Sequence, residues 1–97
     1  MPDPVLDSEV FELPAEMRST YLNRRLEELN SIKKMNDSEK VAFAQCIGHK
    51  IAGSAQSYGF KDMEPIAREM ERLKNNDIDK CRRLIESLEA CVTSFSQ

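Results

Sequence analysis

The sequence has no tryptophan, only three glycines and three cysteines, and no long apolar run. The cysteines are odd in number and form no C-x-x-C pair, so we expect neither a disulfide framework nor a zinc site. No segment approaches the roughly 20 apolar residues that a membrane span needs. The first residues also lack the basic and then apolar pattern of a signal peptide. The expected location is therefore the cytoplasm.

A surplus of positive charge is also missing. The chain has 14 basic and 17 acidic residues among 97, for a net charge of -3. The pair Arg24 and Arg25 is followed at once by Glu27 and Glu28. Because a nucleic-acid-binding protein usually concentrates Lys and Arg on one face, we expect neither nucleic acid nor membrane as a partner. Length and a hydrophobic content of 40% predict a single domain over residues 1–97.

Apolar residues recur at helical spacing in four segments, and no segment alternates with period two. The predicted fold is all-α: an antiparallel four-helix bundle over residues 14–96, with a short N-terminal arm over residues 1–13. Asp37 or Ser38 is predicted to cap the second helix. The other predicted boundaries are a first helix from near Pro14, a second from about Ser38 to Ser57 ending at Gly59, a third after Asp62, and a fourth capped by Asn75-Asn76-Asp77.

The second helix contains His49, the only histidine of the chain. On a helical wheel, its core stripe is predicted to be Phe43, Ile47, Ile51, Ser54 and Tyr58, flanked by Ala44 and Ala55. The opposite side is predicted to carry His49, Gln45, Gly53 and Gln56, with Gly48 and Ala52 on one flank and Lys50 on the other. An outward histidine is most often simply solvated.

Gly53 adds information about the outward face, because a glycine inside a helix costs about 1 kcal/mol relative to alanine. One turn beyond His49, the missing side chain leaves the imidazole open to an approaching partner. The alternative is that Gly53 permits close helix packing, but it lies on the side of His49 and away from the predicted core.

The run His49-Lys50-Ile51-Ala52-Gly53-Ser54, then Gly59-Phe60, then Met70-Glu71 closely resembles the histidine-phosphotransfer (HPt) family. The family pattern is similar to H-x-L-K-G-S, a glycine ten positions after the histidine, and a Leu-Glu pair in the third helix. The resemblance covers roughly residues 14 to 95. One departure is Ala52, since the family often has a lysine there. The flexible stem of Lys50 could bring its charge to the same place, although a solvated lysine is the simpler interpretation.

The resemblance implies a phosphorelay carrier that is not an enzyme in its own right. His49 would accept a phosphoryl group from a receiver-domain aspartate and pass it to another receiver domain, while Glu71 orients the imidazole. The implied partners are the receiver domains of hybrid sensor kinases and response regulators, with Mg²⁺ on the receiver, no cofactor on this chain, and a monomeric state. The residues predicted to bind the partner are Gln45, Gly48, Lys50, Ala52, Gly53, Gln56 and Arg68.

Two other interpretations remain open at this stage. The first is a non-phosphorylated helical adaptor that docks or sequesters receiver domains or kinases. Ala52 favours it, whereas the presence of both His49 and Glu71 argues against it, because an adaptor needs neither. The second is a generic bundle in which Met63 and Met70 line a groove for a partner peptide, although methionines at helical spacing usually belong to a core.

Overall fold

The structure is a computed structural model that describes residues 14–96. Over this range the chain forms helices and no strand, so the predicted all-α bundle is confirmed. Within the same residues no helix combines the length and the hydropathy that crossing a lipid bilayer requires. The predicted arm over residues 1–13 lies outside the described residues. The helices are α1 (Ala15–Ile32), α2 (Asp37–Ser54), α3 (Met63–Glu71) and α4 (Ile78–Ser96), with a 3-10 turn at Gln56–Tyr58.

The N-terminus of α2 is capped one residue earlier than the sequence predicted. The side chain of Asn36 accepts a hydrogen bond from the Glu39 N–H at 2.9 Å, and the Glu39 carboxylate accepts one from the Asn36 N–H at 3.3 Å. The prediction that Asp37 or Ser38 caps this helix was wrong. Only Asn36 has a glutamate three positions later, and that spacing allows both bonds of a capping box to form.

The connection between α2 and α3 reverses the chain tightly. Helix α2 ends at Ser54, so the predicted end at Ser57 was three residues too late. Gly59 has φ 86° and ψ 12°, the left-handed conformation predicted for it. Beyond it, the Phe60 N–H donates to the Ala55 carbonyl at 2.9 Å. Phe60 is then buried at 2% exposure, which fixes the position at which α3 begins.

Apolar side chains from all four helices form one core. Met63 and Met70 are fully buried, so the interpretation of a methionine-lined peptide groove was wrong. In α2 the predicted flank residue Ala44 is buried, whereas Phe43 is only half-buried and Val41, which was not predicted, is buried in the core. The largest side chains that are almost completely buried are Phe60, Leu29, Ile32, Ile47, Ile51, Met63, Met70, Leu88, Val41, Val92 and Cys81.

The three cysteines are free thiols in different environments. Cys46 is exposed, Cys91 is half-buried and Cys81 is fully buried. Burial raises the pKa of the Cys81 and Cys91 thiols above their ordinary value of 9.0, because the thiolate loses its hydration. Within the core these two residues therefore behave as small apolar groups.

A buried polar cluster joins α1 to the back of α2. Arg25 is only 4% exposed, and its guanidinium lies 2.8 Å from the Glu28 carboxylate and 4.6 Å from the Tyr21 ring centre. The Tyr21 hydroxyl is 2.7 Å from the Ser54 hydroxyl, which in turn donates to the Lys50 carbonyl at 2.8 Å. Ser54 was predicted as a core position, and it lies at the core edge with its hydroxyl fully used.

Candidate functional site

His49 and Glu71, the two residues predicted to carry chemistry, are brought together where α2 and α3 cross. His49 lies in the C-terminal half of α2, and 78% of its side chain is exposed. Glu71 is the last residue of α3, with a side chain 35% exposed. Nδ1 of His49 and Oε2 of Glu71 are 2.6 Å apart, although the residues are separated by 22 positions in the sequence. The crossing of the helices therefore creates the pair.

This contact determines which ring nitrogen is left for a reaction. An ionised carboxylate can only accept hydrogen bonds, so Nδ1 carries the hydrogen that the Glu71 oxygen receives. In the neutral imidazole the other nitrogen, Nε2, then has the free lone pair. The contact also holds the ring in one orientation on an otherwise exposed side chain. The arrangement is suited to nucleophilic attack from Nε2.

Gly48 explains why α3 lies close enough for this contact. The residue is buried. A Cβ at Gly48 would lie 2.6 Å from the Ala67 carbonyl oxygen, 2.7 Å from the Glu71 nitrogen and 2.9 Å from the Met70 Cβ. Such distances are shorter than real side chains tolerate, so the two helix backbones touch at this point. The predicted place of Gly48 on the exposed partner-binding surface was wrong, because one helical step from His49 turns it towards α3.

Gly53 has the opposite environment. Nothing lies within 4 Å of the place where its Cβ would be, so packing inside the chain gives no reason for a glycine. Gly53 and Ala52 border a shallow pocket of about 180 Å³ beside His49, and Arg68 and Glu71 line its α3 side. The small residues of α2 thus leave open space next to the imidazole.

Arg68 lies one helical turn before Glu71 on α3. Its guanidinium pairs with the Glu64 carboxylate, with Nε at 3.1 Å and one terminal nitrogen at 2.7 Å. The side chains of Arg68 and Glu64 are 50% and 25% exposed. Arg68 was predicted to bind the partner, and the structure places it in the wall of the His49 pocket.

The remaining predicted binding residues lie around His49 but differ in their contacts. Gln45 donates from its amide to the Leu73 carbonyl at 2.5 Å and so ties α2 to the chain after α3. Gln56 is exposed in the 3-10 turn. Lys50 pairs with Glu28 of α1 at 3.2 Å and does not line the His49 pocket. Its charge is therefore held apart from the His49 pocket, contrary to the idea that it replaces the missing lysine.

Three features of the site were missed by reasoning from the sequence: the packing role of Gly48, the hold of Glu28 on Lys50, and the pairing of Arg68 with Glu64. The last had a usable signal, since Glu64 and Arg68 are spaced i, i+4 on a helix. The first two depend on neighbouring helices and leave no local pattern. Over the described residues, no group of three or more His, Cys, Asp or Glu side chains could hold a metal ion.

The comparisons with known proteins agree with this geometry. A family model described as "Hpt domain" matches residues 16–97, which is nearly the whole chain. Searches of curated proteins and of solved structures gave no match. Domains of this family are phosphocarrier modules of two-component phosphorelays, and they interact with receiver domains.

Proposed function

We propose, from the premise that this chain belongs to the Hpt domain family, that it carries a phosphoryl group on His49 between receiver domains. In this proposal His49 accepts the group from an aspartyl phosphate and later returns it to the aspartate of a second receiver. The receivers would belong to hybrid sensor kinases and response regulators in the cytoplasm. Each would supply its own Mg²⁺, and this chain would act as a monomer.

One observation carries the proposal: the 2.6 Å contact between Nδ1 of an exposed imidazole and the Glu71 carboxylate. A solvated surface histidine needs no fixed orientation, and holding the ring costs conformational entropy. The same orienting use of a carboxylate serves the histidine of hydrolase triads. The contact gives His49 one free nitrogen and one defined direction of attack.

The transfer step balances on the atoms of the pair. The lone pair of Nε2 attacks phosphorus, an N–P bond forms, and the P–O bond to the receiver aspartate breaks. The aspartate leaves as a carboxylate, and the Nδ1 hydrogen stays in its bond with Glu71. The ring gains a positive charge as the N–P bond forms, and the Glu71 carboxylate stabilises it. Return of the phosphoryl group reverses each of these changes.

The open surface around His49 supports docking of a receiver. Ala52 and Gly53 present almost no side chain, so a partner can bring its phosphorylated aspartate to Nε2 without a clash. Gln56 and Arg68 add polar groups at the edge of this area, and a transient contact is typically polar at its rim. We assign Ala52, Gly53 and Gln56, with the exposed face of His49, to the receiver-docking surface.

The test is transfer of ³²P-phosphoryl label from a phosphorylated receiver domain to the purified chain. We expect acid-labile label on the wild type and none on His49→Gln. Glu71→Ala should slow the transfer by about 10- to 100-fold, the loss of one charge-assisted hydrogen bond. Glu86→Ala, which removes an exposed carboxylate from α4, is the matched control and should transfer at the wild-type rate.

The adaptor alternative predicts a different result in the same experiment. An adaptor would bind receivers with similar affinity in the wild-type and His49→Gln forms, and neither form would take label from any donor. Ala52 is the feature that favours this alternative. Label on the wild type that survives the His49→Gln change would also refute the assignment of the phosphorylated residue.

A further inference from the structure

We propose that Arg68 supplies the positive charge that stabilises the phosphoryl group on His49, an assignment that rests on the proposed function. Phosphoryl transfer depends mainly on positioning and on stabilising charge around the transferred group. On α2, the residue one turn beyond His49 is Ala52, which has no charge to offer. A carrier built on this pocket therefore needs a cation from another element.

The wall of the pocket contains one suitable group. Of the described residues that line it, Arg68 alone carries a fixed positive charge. It lies three positions before Glu71, and residues at this spacing are neighbours on a helix surface. Arg68 and the carboxylate that orients the imidazole thus share one face of α3. Ala52 and Gly53, on the opposite wall, leave room for the guanidinium beside the phosphoryl group.

Lys50 does not line this pocket, and its present partner lies on α1. Its ammonium is 3.2 Å from Glu28, whose carboxylate also pairs with the buried Arg25. The side chain of Glu28 is only 13% exposed, and Lys50 adds a second cation to it. Moving Lys50 to the His49 pocket would break that arrangement. Lys50 is therefore adjacent to His49 in the sequence, but its charge is not placed to contact a phosphoryl group on His49.

Arg68 already lies in the wall of the pocket, and its own pair with Glu64 can be exchanged. Its pair with Glu64 lies on the exposed surface of α3, and such pairs add little to stability. A phosphoryl group carries a charge of about -1.5 to -2, against -1 for a carboxylate. Its oxygens also match the planar fork of arginine. We expect the guanidinium to pair with Glu64 in the free protein and to move to the phosphoryl group once His49 is modified.

The experiment measures the transfer rate at saturating phosphorylated receiver, and separately the affinity for the unphosphorylated receiver. Arg68→Gln should lower the rate by about 10- to 100-fold and change the affinity less than threefold. Arg68→Lys should keep part of the rate, and Ala52→Lys in the Arg68→Gln background should restore most of it. Arg83→Gln, which removes an exposed arginine from α4, is the charge control and should leave both quantities unchanged.

Direct phosphorylation with phosphoramidate gives a second readout that needs no receiver. The ³¹P resonance of phosphorylated His49 should shift between wild type and Arg68→Gln, because the guanidinium contacts the phosphoryl oxygens. A wild-type rate in Arg68→Gln, or a loss confined to receiver affinity, overturns the assignment of Arg68 and leaves the carrier function standing. If neither donor labels the wild type, both proposals fail together.

Discussion

The sharpest stability prediction compares two glycines five positions apart in α2. Gly48 and Gly53 are both helical, so alanine at either position should gain about 0.5–1 kcal/mol of backbone entropy and helix propensity. The surroundings of the two glycines predict different net effects of the substitution. The new Cβ at Gly53 meets nothing within 4 Å, whereas the one at Gly48 meets two backbone atoms of α3 at 2.6 and 2.7 Å.

Gly53→Ala should therefore stabilise the fold by roughly 0.5–1 kcal/mol. In Gly48→Ala, overpacking adds a cost of about 1–3 kcal/mol, because α3 must move as a unit. Since the intrinsic gain is common to both variants, their free energies of unfolding should differ by about 1–3 kcal/mol. In a domain of this size each kcal/mol corresponds to about 4–8 °C in Tm.

The assay is urea denaturation of both variants and the wild type, followed by circular dichroism at 222 nm. A second readout is the ¹⁵N spectrum of His49, which reports the tautomer of the imidazole and so tests whether Glu71 selects it. In Gly48→Ala the displaced α3 should carry Glu71 away and mix the tautomers, while Gly53→Ala should retain one. If both variants are equally stable and keep the wild-type spectrum, the backbone contact does not set the position of α3.

Further predictions concern the polar cluster and the thiols. Tyr21→Phe removes the hydroxyl bonded to Ser54 and should cost about 1 kcal/mol in the same urea assay; no loss would show that water replaces the bond freely. Glu28→Gln leaves the buried Arg25 charge without its partner and should cost about 3 kcal/mol, and a smaller loss would mean that the cluster is hydrated. The pKa of the Cys81 thiol is raised in the folded protein, so its contribution to stability is complete below the unfolded value and is lost as pH rises through the folded value. Stability should then fall above pH 9 by up to ~1.4 kcal/mol per pH unit, and Cys81→Ala should flatten that fall; an unchanged slope would refute this origin.

The periodicity of the sequence predicted most of the fold, because burial in a helical bundle follows the helical repeat. Ile47 and Ile51 were both expected in the core and are almost completely buried. Boundaries were less certain, since neighbouring polar residues compete for one cap. Asn36 caps α2 instead of Asp37, because it forms two reciprocal hydrogen bonds with Glu39.

Some features of the candidate site could likewise be predicted from the sequence of one helix, and others could not. His49 on an exposed face follows from one helix alone, and the structure places it there. The pairing with Glu71 was expected only from the family resemblance, because a separation of 22 positions gives no geometric rule. Gly48 was misplaced because a single-helix wheel contains no information about where α3 packs. The partner of Lys50 was missed for the same reason, since Glu28 belongs to α1.

The backbone contact at Gly48 also bears on how such a relay could be rewired. The spacing of the imidazole and its carboxylate is maintained by main-chain atoms inside the bundle. Exposed side chains around them can then be exchanged in sets without altering that spacing. A designer could graft a foreign recognition pattern onto positions such as Gln56, and His49 would keep its geometry relative to Glu71. Variants built on one scaffold would then recognise different partners while keeping the same His49–Glu71 pair.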